Sequence, residues 1–345
     1  VLRFVTGLLL CASLVFPRAA DADDSLSIMA GAAAPGIFDT LDLVAAGAGF
    51  FRDEHLNVTK EYVAGPGTAA QLVAAGKADI AAISVEPVLI GYEKGLRVQF
   101  FLARGARYSY VLAVLAGSPI RTLADFKGAL LGETAPNTAD VAAESMLGGA
   151  GLKRTDYSFV TIGIGAQALS AVVSKRVDGL AFPFLEIVND TIVGQTTFRV
   201  FRHPILKDVV NTGYAATPAT IASKGDALKR FSRAIVKAAL LVRLNPIAAA
   251  RLYLQGSGQS VTDDAVARTA RVLVGFGGDF PAADPANKRI GLISPRGLQL
   301  YSTYLTDYGM TQAVVPGPAV ATDQFIAFAN DFDRRAFAAY AKGLR

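Results

Sequence analysis

Cysteine is nearly absent. The 345 residues contain one, Cys11. It lies in an N-terminal stretch that reads as a leader, so the remaining chain can form no disulfide. A cysteine nucleophile and a cysteine-ligated metal are excluded with it. Histidine is almost as scarce. His55 and His203 are the only two, and both sit beside polar or turn residues where a surface position is expected. No His/Cys/Asp cluster has metal-ligand spacing, so neither a metal nor a cofactor is expected. G-x-S-x-G, a Walker A loop and a strand-linked G-x-G-x-x-G are all missing; "GIG" at residues 163–165 is a loop fragment. A nucleophile would lack its base, so the chain does not read as an enzyme.

Basic runs are also lacking. The formal charge is +5, from 34 Lys and Arg against 29 Asp and Glu, but it is spread along the chain. That pattern carries no nucleic-acid signature. Long apolar runs are limited to one, residues 4–16. Arg3 precedes it and Ala20-Asp21-Ala22 follows, the order of a secretory signal peptide cleaved after Ala22. The run is too short for a span, which needs about 20 residues. Leu10 stands where a lipoprotein signal needs a small residue before Cys11. The expectation is an exported, monomeric, periplasmic protein whose residues 1–22 are removed.

What is present is a core-forming composition, with 52% hydrophobic and 18% charged residues. After Ser25 the pattern alternates between short apolar strands and helical segments. "LSIMA", "NVTKEYV", "DIAAI" and "RVQFFLAR" read as strands, and residues 38–51 and 66–76 read as helices. Residues 108–120 form a long extended run with no helix before it. The alternation then restarts, from "ALLGET" to "TTFRVFR", and "NTGYAATP" at residues 211–218 is a second extended run. Residues 224–341 are almost all helical. The fold class expected is α/β: two doubly wound lobes with parallel strands, joined by a two-segment hinge, and a helical C-terminal region. The expected division is 1–22 signal, 23–107 first lobe, 108–213 inserted second lobe, and 214–345 return to the first lobe with the C-terminal helices.

One corner occurs twice. "LVAAGKADIAAISVEP" (residues 72–87) and "AVVSKRVDGLAFPFLE" (residues 171–186) each read as helix, basic residue, Asp, strand and Glu. Asp79 and Asp178 lie at strand starts and read as turn-tying side chains. Ligands in open α/β sheets bind beyond the carboxyl ends of strands, so the residues after each strand should face a cleft. Those are Ser84 and Glu86 in one copy and Phe182 and Glu186 in the other. Three helix N-termini should also reach it, offering free N–H groups: Gly67 and Thr68; Thr134, Asn137 and Thr138; and Gly165. Ordinary N-capping would place the same residue types there. Phe38, Phe182, Phe184 and Tyr214 could stack on a flat ligand. A carboxylate at Glu86 or Glu186 favours a cationic or N–H donor group, whereas caps and hydroxyls favour a sulfonate or carboxylate; both choices stay open.

"AAGAGFFRDEHLNVT", "GPGT…QLVAAGKADIA" and "SPIRTLADFKGALLGETAPNTA" together resemble the signatures of type II periplasmic solute-binding proteins. The branch holds sulfonate, taurine and nitrate binders and binders of thiamine pyrimidine precursors. The resemblance covers residues 25–218 well and the tail less. It implies an inter-lobe cleft that closes on a small molecule and docks on an ABC permease driven by an ATPase. In the pyrimidine-precursor binders a carboxylate reads ring nitrogens, and Glu186 resembles that position more than Glu86 does. His55 departs from the family, where Gly is usual; no functional effect is expected at that surface turn. The alternative the resemblance allows is an enzyme on the same fold. The fungal pyrimidine synthase carries a cysteine-rich motif that is absent here, and the menaquinone-pathway lyases are cytoplasmic.

Overall fold

The computed structural model of the chain describes residues 23–134, 139–204, 206, 209–210, 212–275 and 288–344. The proposed leader lies outside them. Among the described residues no helix is long and apolar enough to cross a membrane.

The first sheet is built from β1 (Asp24–Ala30), β2 (Leu56–Tyr62), β3 (Ile80–Ser84), β4 (Gln99–Ala103) and, much later, β10 (Thr212–Ala216), in the order β2-β1-β3-β10-β4. The second is built from β5 (Tyr110–Leu115), β6 (Leu130–Glu133), β7 (Ser158–Thr161), β8 (Gly179–Pro183) and β9 (Phe198–Arg202), in the order β7-β6-β8-β5-β9. The two orders correspond strand for strand. Each sheet is mixed, not wholly parallel as expected. β10 runs antiparallel between β3 and β4, and β5 antiparallel between β8 and β9. These two strands are the extended runs noticed in the sequence. Each enters a sheet directly from the other lobe, without a crossover helix to reverse it, so it must run against its neighbours.

The helices of the first lobe are α1 (Thr40–Gly47), α2 (Phe50–Asp53), α3 (Pro66–Ala74) and α4 (Glu86–Tyr92). Those of the second are α5 (Ala139–Gly149), α6 (Ala166–Val173) and α7 (Phe184–Val193). The tail carries α8 (Pro218–Ser223), α9 (Gly225–Leu244), α10 (Pro246–Gly256), α11 (Asp263–Gly275), α12 (Pro295–Asp307), α13 (Gly317–Val320), α14 (Ile326–Asn330) and α15 (Arg334–Gly343). α9 is strongly amphipathic and lays its buried stripe, including Phe231, Ile235 and Leu241, against the first lobe. The ring of Phe231 stacks on Phe51 at 5.5 Å and meets Tyr214 edge-on at 5.1 Å.

The repeated corner has the same geometry in both lobes. α3 ends on Gly76 (φ 71°) and α6 on Lys175 (φ 60°), both left-handed. Lys77 N–H returns to Leu72 O and Arg176 N–H to Ala171 O, both at 2.9 Å, the bond pattern of a Schellman stop. The aspartates do more than tie their own turns. Asp79 Oδ2 accepts from Ser27 N at 3.0 Å, and Asp178 Oδ2 accepts from Leu130 N at 2.8 Å. Each therefore clips its strand to the neighbouring one. His55 does stand at a surface turn, at φ 52° with its side chain exposed.

His203 differs from expectation. It is fully buried between the rings of Tyr108 and Tyr304, and its Nδ1 accepts from Leu206 N at 2.8 Å. Burial pushes its pKa down to about 4, so it is neutral. A residue one step beyond β9, where the chain leaves a sheet, reads locally as a surface turn. Packing of α12 over the inter-lobe segments buries it.

Candidate functional site

The loops after β1 and β7 converge with α7, α10 and α11 around a cavity of about 560 Å³. The first lobe contributes Gly36 and Ile37, and the second contributes Ile164, Gly165, Glu186, Asn189 and Val193. Tyr253 and Gln259, and Arg268 and Thr269 of α11, close the remaining side.

Glu186 stands in the first turn of α7 and is only 4% exposed, yet it lines this cavity. Among the described residues its carboxylate has neither a hydrogen bond nor an ion pair. One helical turn on, Asp190 is also buried, and its Oδ2 lacks a hydrogen-bond partner. Burial pushes Glu186 up to about 7, with the neighbouring Asp190 charge adding to the effect. Burial alone raises Asp190 to about 6. Two carboxyls without a counter-ion in a dry wall are costly unless something outside the described chain meets them. α7 is held there from both lobes: Leu185 and Val188 pack into the core shared with the tail, and Ile187 packs into the core of the second sheet.

The facing loop of the first lobe is held by a buried ionic cluster. Asp39 Oδ2 accepts from Gly36 N at 2.9 Å, which fixes the cavity-lining turn. Lys60 binds both Asp39 and Asp42, the latter at 2.6 Å. Arg104, at the start of the first inter-lobe segment, donates to Phe38 O at 2.5 Å and lies over the Tyr214 ring. Burial works to raise the Asp42 pKa, but Lys60 and Arg104 outweigh it and hold the carboxyl below its usual range. Sequence reasoning missed Asp39, Asp42, Lys60 and Arg104. One signal was visible: Lys60 lies mid-strand in β2, an odd place for a cation without a partner.

The other expected site residues are placed as follows. Tyr214 is fully buried and donates to Asp42 Oδ1 at 2.5 Å, so it belongs to the ionic cluster and not to a ligand face. Phe182 is likewise fully buried, in the core of the second sheet. Its side chain packs into that core instead of the cavity lining, a choice of face that strand alternation alone leaves open. Glu86 is also buried away from the cavity. Its Oε1 accepts from Tyr301 at 3.0 Å, and Tyr301 is bonded in turn to Tyr108 at 2.7 Å. Ser84 is buried beside it, close to Tyr110. Phe38 and Phe184 are half-buried and pack on the first-lobe core, and Ile37 takes the cavity position. Gly67 and Thr68 lie in the first turn of α3, outside the cavity lining, with Thr68 Oγ1 donating back to Ala64 O at 3.1 Å. Thr134 is half-buried and outside the lining. Asn137 and Thr138 lie outside the described residues. Gly165 and Glu186 are the two expected residues that the fold brings together at the cavity. Among the described residues no group of three or more His, Cys, Asp or Glu could hold a metal ion.

No curated protein matches the chain in sequence. Solved structures share its fold. A protein of Bordetella bronchiseptica is 24% identical, with a TM-score of 0.68 over 89% of this chain and 97% of that one. The alkanesulfonate-binding protein SsuA of Xanthomonas axonopodis, bound to MOPS, is 16% identical, with a TM-score of 0.67 over 88% and 100%. The periplasmic nitrate-binding protein NrtA of Synechocystis is 14% identical, with a TM-score of 0.66 over 93% and 98%. These likenesses establish the periplasmic-binding-protein fold. Residues 40–249 match the family described as NMT1/THI5 like, which is more than half of the chain, and the chain therefore belongs to the NMT1/THI5-like family.

Proposed function

We propose that this chain is the substrate-binding component of an ABC importer. Exported to the periplasm, it captures a small organic solute in the cavity between its lobes and delivers it to a membrane permease. Two inter-lobe segments suit hinge closure, in which a few residues absorb the rotation. The volume of about 560 Å³ suits a small organic molecule. Among the described residues the lining includes neither His nor Cys, which supports capture over covalent catalysis.

The observation that carries the ligand reading is Glu186: buried, unpaired among the described residues, and facing the cavity. Above about pH 7, where Glu186 is ionised, a sulfonate or nitrate would meet an uncompensated carboxylate there. Among the described residues the one cation in the lining, Arg268, is paired with Asp264. An amine, amidine or ring N–H meets an acceptor instead, and its hydrogen bond to a charged group is of the stronger kind. The ligand is therefore read as a nitrogen-bearing molecule, neutral or cationic. Native mass spectrometry of protein purified from its own periplasm identifies the bound species. Calorimetry with that species is expected to show Glu186→Gln weakening it more than tenfold, and an unchanged affinity removes Glu186 from the site. If no small molecule stabilises the protein by mass action, yet the purified protein turns over a substrate, the importer reading fails.

A further inference from the structure

The largest share of the cavity wall comes from neither lobe's strand-end loops. Eight of the fifteen described lining residues lie in α10, α11 and the turn between them, between Tyr253 and Val272. All eight fall beyond residue 249, where the family match stops. Family membership thus leaves this wall unspecified. α10 is nevertheless firmly seated: a Cβ on Gly47 would lie 3.1 Å from Leu252, and one on Gly256 would lie 3.2 Å from Leu43.

We infer that the α10–α11 hairpin sets ligand selectivity, with Tyr253, held by Gln259, as a hydrogen-bond donor working together with Glu186. The pair selects ligands that present an acceptor beside a nitrogen donor, as a carboxamide or ureide edge does. This inference rests on the reading of the cavity as the ligand site. Tyr253 is 5% exposed and lines the cavity. Gln259 Nε2 donates to its phenol oxygen at 3.1 Å and to Ser257 Oγ at 3.0 Å. Ser257 is also hydrogen-bonded to the phenol, so a ligand acceptor in the cavity takes the phenol's hydrogen by competing with that contact. Burial, with the Asp39 and Glu186 charges behind it, raises the phenol pKa and keeps that hydrogen in place. Tyr253 gives a hydrogen, and ionised Glu186 takes one. A carboxylate or sulfonate satisfies only Tyr253. An amidinium satisfies only Glu186. A carboxamide satisfies both, and a site with two buried polar groups discriminates against ligands that leave one unpaired.

Three probes of one shape separate these demands: benzamide, benzamidine and benzoate, titrated by calorimetry and thermal shift at pH 8. Wild-type protein is expected to bind benzamide and benzamidine and to reject benzoate. Tyr253→Phe should weaken benzamide about fivefold more than benzamidine, as the loss of one hydrogen bond predicts. Gln259→Leu, at an exposed position, should weaken benzamide in the same direction and to a smaller extent; it provides the test should Tyr253→Phe fold poorly. Equal effects on both probes, or no effect on either, overturn the inference while leaving the Glu186 reading intact. Binding of none of the three by wild-type protein overturns the cavity assignment, and the inference with it.

Discussion

Glu186 and Glu86 look like partners in the sequence and act in different places. The aspartates of the repeated corner are 99 positions apart, and the glutamates are 100 apart. Glu86 is the first residue of α4 and Glu186 the third of α7, a two-residue difference that rotates the side chain by about 200° around its helix. Glu86 therefore turns under α12 to meet Tyr301, and Glu186 turns to the cavity. The consequence of burying Glu186 is a pH dependence of a definite sign. Glu186 and Asp190, at about 7 and about 6, both lie above their ordinary carboxyl values. The ligand-free folded chain holds protons on these two groups that the unfolded chain releases, so their contribution to stability is full below about pH 4 and falls as pH rises towards 7. Glu186→Gln should flatten that fall and stabilise the ligand-free protein at pH 8 by about 2 kcal/mol. Urea unfolding at pH 5 and pH 8 measures this; parallel behaviour of wild type and variant would contradict the electrostatic account.

At the scale of elements, the two corners share a hydrogen-bond plan but not the residue at the helix stop. Where the first lobe has Gly76, the second has Lys175 in the same left-handed conformation. A residue with a Cβ is disfavoured there, so Lys175→Gly should stabilise the second lobe by up to about 1 kcal/mol. Gly76→Ala should cost a similar amount in the first. Denaturant midpoints at constant m-value would report both, and a destabilising Lys175→Gly would mean that the side chain has a role beyond closing the helix. The aspartate clips differ in strength for a visible reason. Asp79 also accepts from Ser27 Oγ at 3.1 Å and pairs with Lys224 at 2.7 Å, so the first lobe's corner is tied to its tail.

Across the whole molecule, the tail does more than cover the first lobe. α11 packs on α7 of the second lobe, where a Cβ on Gly275 would lie 3.0 Å from Val188 Cγ1. α12 crosses to α5, where a Cβ on Gly148 would lie 2.7 Å from Tyr308. Tyr301 on the same helix reaches Glu86 in the first lobe and Tyr108 on the inter-lobe segment. Relative motion of the lobes must therefore slide or break contacts made by the tail. Joining Val188→Cys to Gly275→Cys by a disulfide should lock α11 to α7. The oxidised form should gain about 2–4 kcal/mol of stability and exchange cavity ligands more slowly than the reduced form. If oxidation leaves ligand exchange unchanged, entry to the cavity does not require α11 and α7 to separate.

The elements were legible because they rest on local physics. Apolar periodicity, glycine stops and strand-starting aspartates act within a few residues, so two alternating lobes, two extended inter-lobe runs and a repeated corner could be read directly. The site was legible only in part. Tyr214 and Phe182 lie at strand positions where the choice between core and cleft depends on which face the sheet buries, and alternation does not name that face. The Asp39–Asp42–Lys60–Arg104 cluster joins residues as many as 65 positions apart, and no local pattern announces such a pairing. The sequence by itself determined the fold class, the duplicated lobe and the scarcity of chemical groups for catalysis. Only the tertiary structure decided that Glu186 faces a cavity and Glu86 does not, and that the wall opposite belongs to a tail with little signature of its own. The rotation of a side chain about its helix, and the distant surface it meets, follow from long-range packing that short-range pattern cannot encode.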